Sequence, residues 1–292
     1  MELDVVQRRL LLSLALVVLG ASGCRAPSRS NGAPPESLAD AVTRFAVVGD
    51  FGSADDTERA VAAQLKTWSD DKDANALVTT GDNAYPYSTP DTLEAAWAPF
   101  YGWADDELSV IATLGNHDVQ GDGGESTINF FGLADAWYQT TSGNVDFFVL
   151  DANRPEEPEQ TDWLRQALVQ SEAGWKVVVF HQPAFSCSEH DGDPRIVEQW
   201  VPVFEEFGVD LVLSGHDHNY QRFAVGSTTY VVTGGGGAAL YGLDECPAGS
   251  PPSIAANDQQ HHFLGVQASH KEMLVQVIDP QGQVLDTFSL RN

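Results

Sequence analysis

The stretch LVTTGDNAYPY (residues 77–87) is a short apolar run that breaks off at Gly81-Asp82. A run of this kind, closed by a glycine, reads as a buried strand that presents a carboxylate where it ends. Three residues beyond that carboxylate stands Tyr85, where a phenol would be an odd catalytic acid. The same strand grammar recurs outward in both directions. Strand-like runs cover 44–48, 76–80, 110–114, 146–150, 176–180, 211–213 and 229–232, and helical periodicity covers 57–68, 92–100, 161–171 and 195–207. This alternation predicts an α/β layered domain with a largely buried sheet. Near the end, runs at 273–278 and 284–290 flank Asp279-Pro280-Gln281-Gly282 and predict a hairpin.

Five of the strand-like runs are followed by chemistry. After 44–48 comes Gly49-Asp50-Phe51-Gly52, and after 76–80 comes Gly81-Asp82-Asn83-Ala84-Tyr85. Gly115-Asn116-His117-Asp118 follows the third, His181-Gln182-Pro183 follows 176–180, and Ser214-Gly215-His216-Asp217-His218 follows 211–213. Open α/β sheets place ligand sites at these carboxyl ends. Carboxylate, carboxamide and imidazole together are donors for first-row metals. A carboxylate shared between two ions makes a centre with metals roughly 3.5–4 Å apart. In His216-x-His218 the two rings face one side if the segment is extended. Each motif alone is weak, since a Gly-Asp turn is usually only a turn; it is their order at successive strand ends that is specific.

In that order the motifs resemble the calcineurin-like metallophosphoesterases, from about residue 43 to the C-terminus. Most branches of that superfamily carry Asp-x-His in the first motif, whereas here Asp50 is followed by Phe51 and Gly52. The missing imidazole and the added Tyr85 together resemble the purple acid phosphatases, of the small, tartrate-resistant mammalian type. The resemblance implies a four-layer αββα sandwich of two mixed β-sheets flanked by helices. It further implies Fe(III) held by Asp50, Asp82, Tyr85 and His218, and a second divalent metal (Fe, Zn or Mn) held by Asp82, Asn116, His181 and His216. A phenolate is a hard anionic donor suited to a ferric ion, so Tyr85 would compensate for the ligand lost at Gly52. The implied activity is hydrolysis of phosphate monoesters by metal-bound hydroxide; a phosphodiesterase or nucleotidase with the same metals, and an inactive binding protein on the same fold, are the competing readings.

Around the metals, His117 is one candidate for protonating the leaving group. Glu189 and His190, eight and nine residues past His181, resemble a pair lining the substrate pocket in the small enzymes. His190 is assigned to substrate binding and leaving-group protonation, with Glu189 as its helper, and Asp118 to orienting a neighbour. His261, His262 and His270 read as surface or structural residues. The run Gly234-Gly235-Gly236-Gly237 lacks a P-loop ending and reads as a loop near the pocket, and Arg222 reads as a salt-bridge partner.

Composition bounds the rest. Among 292 residues, 15 basic against 42 acidic side chains give a formal charge of −27, which argues against a nucleic-acid-binding surface. A small anionic phosphate ester would need a local positive centre such as a metal. Arg8 and Arg9 precede an apolar run at 10–19, shorter than the roughly 20 residues that span a bilayer, and read as an export signal over 1–23. Small residues leading into Cys24 resemble a lipoprotein processing site; with Ala21 in place of the commoner leucine, a plain secretory signal fits as well. The chain is then exported, periplasmic or extracellular, touching a membrane only through an anchor at Cys24, and monomeric. Residues 24–42 form a flexible tether and 43–292 a single catalytic domain. Cys187 and Cys246 remain, and an even remainder in an exported chain suggests a disulfide over two free thiols.

Overall fold

The computed structural model describes residues 42–292. The signal expected over 1–23, the Cys24 site and the tether up to residue 41 lie outside the described residues.

Strand β1 (Thr43–Val48) is followed by α1 (Asp56–Lys72). The Asp55 carboxylate starts this helix by accepting the backbone N–H groups of Thr57 and Glu58, and Asp73 ends it in a left-handed conformation. Next come β2 (Ala76–Thr79), α2 (Pro90–Trp97), α3 (Ala104–Glu107) and β3 (Ser109–Ile111), with β2 parallel to both β1 and β3. Two short helices follow, α4 (Asn116–Val119) and α5 (Glu125–Phe131).

The chain then builds a second sheet from β4 (Tyr138–Ser142), β5 (Val145–Val149), α6 (Pro158–Gln170), β6 (Trp175–Val179), α7 (Pro194–Gln199), α8 (Val201–Phe207) and β7 (Leu211–Ser214). It continues through β8 (Tyr220–Val225), β9 (Thr228–Thr233) and β10 (Ala255–Asn257). Finally β11 (Phe263–Ala268), β12 (Glu272–Ile278) and β13 (Val284–Arg291) return to the first sheet and pair antiparallel beyond β1. The two orders are β13-β12-β11-β1-β2-β3 and β10-β8-β9-β7-β6-β5-β4, and both sheets mix parallel and antiparallel pairs.

Period-two alternation makes four layers of this. In β1, Phe45 and Val47 face the other sheet, where the Phe45 and Phe147 rings meet edge-on at 5.0 Å, while Ala46 and Val48 turn outward onto Val61, Leu65 and Trp68 of α1. In β5, Val145, Phe147 and Val149 point inward, and Phe148 turns outward onto Leu164 and Leu168 of α6 and Trp200 and Phe204 beside it. The fold is therefore a sandwich of two mixed sheets flanked by helices.

Two elements differ from expectation. The strand expected over 110–114 ends its ladder at Ile111, because Thr113 donates its N–H to the Thr79 hydroxyl and gives its carbonyl to the Asn83 amide. The helix expected over 195–207 is two, broken at Trp200, where Pro202 in the first turn of α8 lacks the N–H a continuous helix needs. Strands β4, β8, β10 and β11 lie outside the runs read from the sequence, whereas the hairpin of β12 and β13 matches its expectation.

Candidate metal centre

Asp50, Asp82, His181 and the His216–His218 pair follow β1, β2, β6 and β7, and Asn116 opens α4 beyond β3. The Tyr85 phenol oxygen lies 3.4 Å from Asp50 Oδ1, 3.2 Å from Asp82 Oδ2 and 3.2 Å from His218 Nε2. His181 Nε2 lies 3.3 Å from Asp82 Oδ2, 3.9 Å from Asp50 Oδ1 and 3.1 Å from Asn116 Oδ1. His218 Nε2 is 3.4 Å from Asp50 Oδ1, and the His216 ring lies 5.1 Å from that of His181. One donor atom each from Asp50, Asp82 and His181 falls within 4.8 Å of the others, all three residues being buried.

The backbone is forced to serve this arrangement. Asp50, Asp82 and His216 hold φ of 55°, 53° and 72°, in the left-handed region that side-chain-bearing residues rarely occupy. Carboxylates hold them there. Asp50 accepts the His216 N–H at 3.0 Å, joining the first sheet to the second, and Asp82 accepts the His117 N–H at 2.9 Å. A side chain at Gly115 would strike the Asp82 carboxylate, and one at Gly215 that of Asp50, so the glycines of both motifs are required by this close approach. Gly52 explains the tyrosine. Its missing side chain lets the Asn83–Ala84 backbone pack against it, and Tyr85 donates its N–H to the Gly52 carbonyl at 2.9 Å. The glycine that takes the place of an imidazole is also what admits the phenol.

The donor set fits metal. His181 Nδ1 donates to the Thr80 carbonyl and His218 Nδ1 to the Ala239 carbonyl, each at 2.8 Å. A carbonyl only accepts, so both rings carry a proton on Nδ1 and turn Nε2 inward, as the atom that would meet a metal once free of its own proton. Among the described residues Asp50 and Asp82 form ion pairs with histidines alone, leaving two buried carboxylates without a permanent cation. Protons carry the compensation. Burial would lower His181, but Asp82 and Asp50 hold it well above an ordinary imidazole. Burial would raise Asp82, but His181 and His117 hold it down. Burial, then Asp50 and Asp82, push the Tyr85 phenol far up, while burial and the neighbouring His181 and His190 press His216 down to about 3.

Around this group, His117 Nδ1 bonds the Pro86 carbonyl at 2.5 Å, its Nε2 lies 4.0 Å from Asp82 Oδ2, and its ring sits 4.7 Å from that of Tyr85. His190 stacks on His216 at 4.3 Å between centroids. Both line an open cleft of about 550 Å³ with Gln182, Asp193 and Arg195, and Glu189 is exposed at its rim. Asp118 is fully buried and holds Asn83, Gly115 and Ser88, fastening the loop of Asp82 to that of Asn116. The structure thus brings all seven expected ligands and His117 into one cluster, with His190 against it.

Other readings resolve too. Cys187 and Cys246 are joined as a disulfide, and Arg222 pairs with Asp286 at 3.0 Å. His262 is structural, buried with Nε2 3.1 Å from the Thr233 hydroxyl. The glycine run packs against the first motif: a side chain at Gly234 would crowd the Asp50 carboxylate, and Gly236 donates its N–H to the Gly49 carbonyl. Sequence reasoning missed Tyr241, whose ring stacks on His218 at 4.0 Å and 13°; on an irregular loop, no motif marks it.

Comparison with known proteins agrees with this geometry. The sequence model of the calcineurin-like phosphoesterases matches residues 43–220. The chain is 26% identical to purple acid phosphatase 7 of Arabidopsis thaliana, over 88% of each chain. It is 25% identical to human tartrate-resistant acid phosphatase type 5, over 85% of this chain and 92% of the relative. Purple acid phosphatase PPD1 from yellow lupin seeds superposes with a TM-score of 0.74 at 19% identity, over 88% of this chain and 55% of that one. GAP50, the anchor in the inner membrane complex of Plasmodium, superposes at 0.72 and 19% identity, over 86% of this chain and 89% of that one.

Proposed function

The chain belongs to the calcineurin-like phosphoesterase family, and from that premise we propose that it is an acid phosphatase hydrolysing phosphate monoesters at a centre of one ferric and one divalent ion. The observation that carries this reading is the Tyr85 oxygen within 3.4 Å of Asp50 Oδ1, Asp82 Oδ2 and His218 Nε2. Asp50, Asp82, Tyr85 and His218 would hold the ferric ion, and Asp82, Asn116, His181 and His216 the iron, zinc or manganese beside it. When bound, such a pair supplies positive charge for the phosphoryl oxygens and an activated water.

The rest is the work of side chains. The carbonyls of Thr80 and Ala239 keep His181 and His218 in the tautomer that offers Nε2. His190, on the wall of the cleft, delivers a proton to the departing oxygen of the alcohol, and His117, beside Asp82, supports the phosphoryl end. The likeness to the Plasmodium anchor is one of fold, and the fold by itself does not confer catalysis. The Cys187–Cys246 disulfide supports an oxidising compartment outside the cytoplasm, in line with the export signal expected over 1–23. Among the described residues no helix is long and apolar enough to cross a membrane.

The test is metal analysis and a visible spectrum of the purified protein, beside hydrolysis of p-nitrophenyl phosphate and of its bis-ester. Two metals, a tyrosinate-to-iron absorption band and preference for the monoester are expected. A colourless protein with two divalent ions would remove the ferric assignment, and preference for the bis-ester would make the enzyme a phosphodiesterase.

A further inference from the structure

Each imidazole of the His216-x-His218 pair is backed by a second ring. His190 lies on His216 at 4.3 Å and 26°, and Tyr241 lies on His218 at 4.0 Å and 13°. The two backing rings meet edge to face at 5.6 Å and 76°. They come from loops far apart in sequence, yet these loops are one assembly. The Cys187–Cys246 disulfide joins them, Ser188 pairs with Leu243 as an isolated bridge, and the Ser188 hydroxyl donates to the Gly242 carbonyl at 2.9 Å.

The immediate neighbours of the two histidines, on a bent segment between β7 and β8, anchor the assembly. While His216 and His218 lie against the metal donors, Asp217 and Asn219 between and after them are buried and bond to the two loops. Asp217 accepts the Ser186 hydroxyl and the His190 N–H, the latter at 3.0 Å. Asn219 donates to the Ser188 hydroxyl at 2.7 Å and to the Tyr241 carbonyl at 3.2 Å. The segment that supplies two imidazoles therefore also positions the rings that cover them.

We propose that Tyr241 is a positioning residue of this centre: its ring fixes the plane of His218 and seats His190 over His216, and the Cys187–Cys246 clip keeps it there. The inference rests on the phosphatase reading for what His190 does. Outer partners that orient a metal-ligating imidazole change metal affinity by roughly 10- to 100-fold when removed. A stacked ring is a partner of that kind, acting on orientation rather than through a hydrogen bond.

The experiment compares metal-loaded wild type with Tyr241→Ala, Tyr241→Phe and the Cys187→Ser/Cys246→Ser double variant. Two quantities are read: the rate at which a chelator strips metal, and the ratio of kcat on an alkyl monoester to kcat on p-nitrophenyl phosphate. Tyr241→Ala is expected to speed metal loss about tenfold and to lower the alkyl-to-aryl ratio, since an aryl leaving group needs little protonation. Opening the clip should move both readings the same way, and by less than an independent amount when combined with Tyr241→Ala. Tyr241→Phe keeps the ring and should match wild type. The proposal is overturned if Tyr241→Ala leaves both readings within about twofold of wild type, far below the orientation effect, or if Tyr241→Phe behaves like Tyr241→Ala. Wild type that neither takes up metal nor hydrolyses either ester would instead overturn the phosphatase reading, a result visible before any variant is made.

Discussion

The Tyr85 phenol oxygen and Nε2 of His218 lie 3.2 Å apart although 133 residues separate them. One comes from the first sheet and the other from the second, so the contact exists only when the sandwich closes. Tyr85→Phe keeps the ring and removes one donor from the proposed ferric site. The variant should fold with an unchanged circular dichroism spectrum, lose the visible band, and bind that metal at least about tenfold more weakly. An unaltered band at full intensity would show that Tyr85 is not the chromophore.

Metal uptake should release protons. Burial and the charges of Asp50 and Asp82 keep the Tyr85 phenol protonated, and the same carboxylates keep His181 protonated against the pull of burial. Both groups must lose a proton to become ligands. Affinity should therefore rise with pH, by up to about one logarithmic unit per pH unit for each proton displaced. Calorimetry in buffers of different ionisation enthalpy counts the protons, and Tyr85→Phe should release one fewer.

His190→Ala tests the acid. General acid–base groups contribute roughly 10²- to 10⁴-fold, so kcat on an alkyl monoester should fall by about a hundredfold. On p-nitrophenyl phosphate, whose leaving group departs as a stable anion, the fall should be much smaller. Equal losses on both substrates would move His190 from proton transfer to binding.

Asp118 is a test of stability as well as of the site. It accepts Gly115 N–H at 2.7 Å, the Asn83 amide at 2.9 Å and the Ser88 hydroxyl at 2.5 Å. Asp118→Asn would turn an NH2 group toward donors that have nowhere else to go, costing about 2 kcal/mol in a denaturant titration. Because the same bonds tie Asp82's loop to Asn116, metal affinity should fall with stability.

Glu58 gives a pH dependence of its own. It is fully buried in α1, holds the Ala54 N–H at 2.6 Å, and burial raises its pKa from an ordinary 4.5 to about 9. Between those values the folded protein keeps a proton that the unfolded chain has released. Stability from this group is thus complete at acid pH and is lost as pH rises toward 9, at about 1.4 kcal/mol per pH unit. Glu58→Gln, which cannot ionise, should remove that slope from the urea midpoint measured between pH 5 and 9.

How much of this could be read beforehand depended on distance along the chain. Asp50, Asp82, Tyr85, Asn116, His181, His216 and His218 are legible because each sits in a short motif closing a strand, and a strand end is written in consecutive residues. The break at Trp200 was hidden within a continuous apolar period, and β4, β8, β10 and β11 carry too little local pattern to be told from loops. Tyr241 was out of reach for another reason. It lies on an irregular loop held by Asn219 and by the clip to Cys187, none of which is near it in sequence.

The sequence by itself determined the donor types, their order and the exchange of an imidazole after Asp50 for a phenol after Asp82. Those features depend on a few adjacent residues and on the alternation that buries both faces of each sheet. Only the tertiary structure decided that Gly52 makes room for the Tyr85 loop, that Asp50 holds the His216 backbone across the two sheets, and that Tyr241 and His190 cover the histidine pair. These are contacts between segments that meet only after the sheets pack, so no local pattern encodes them.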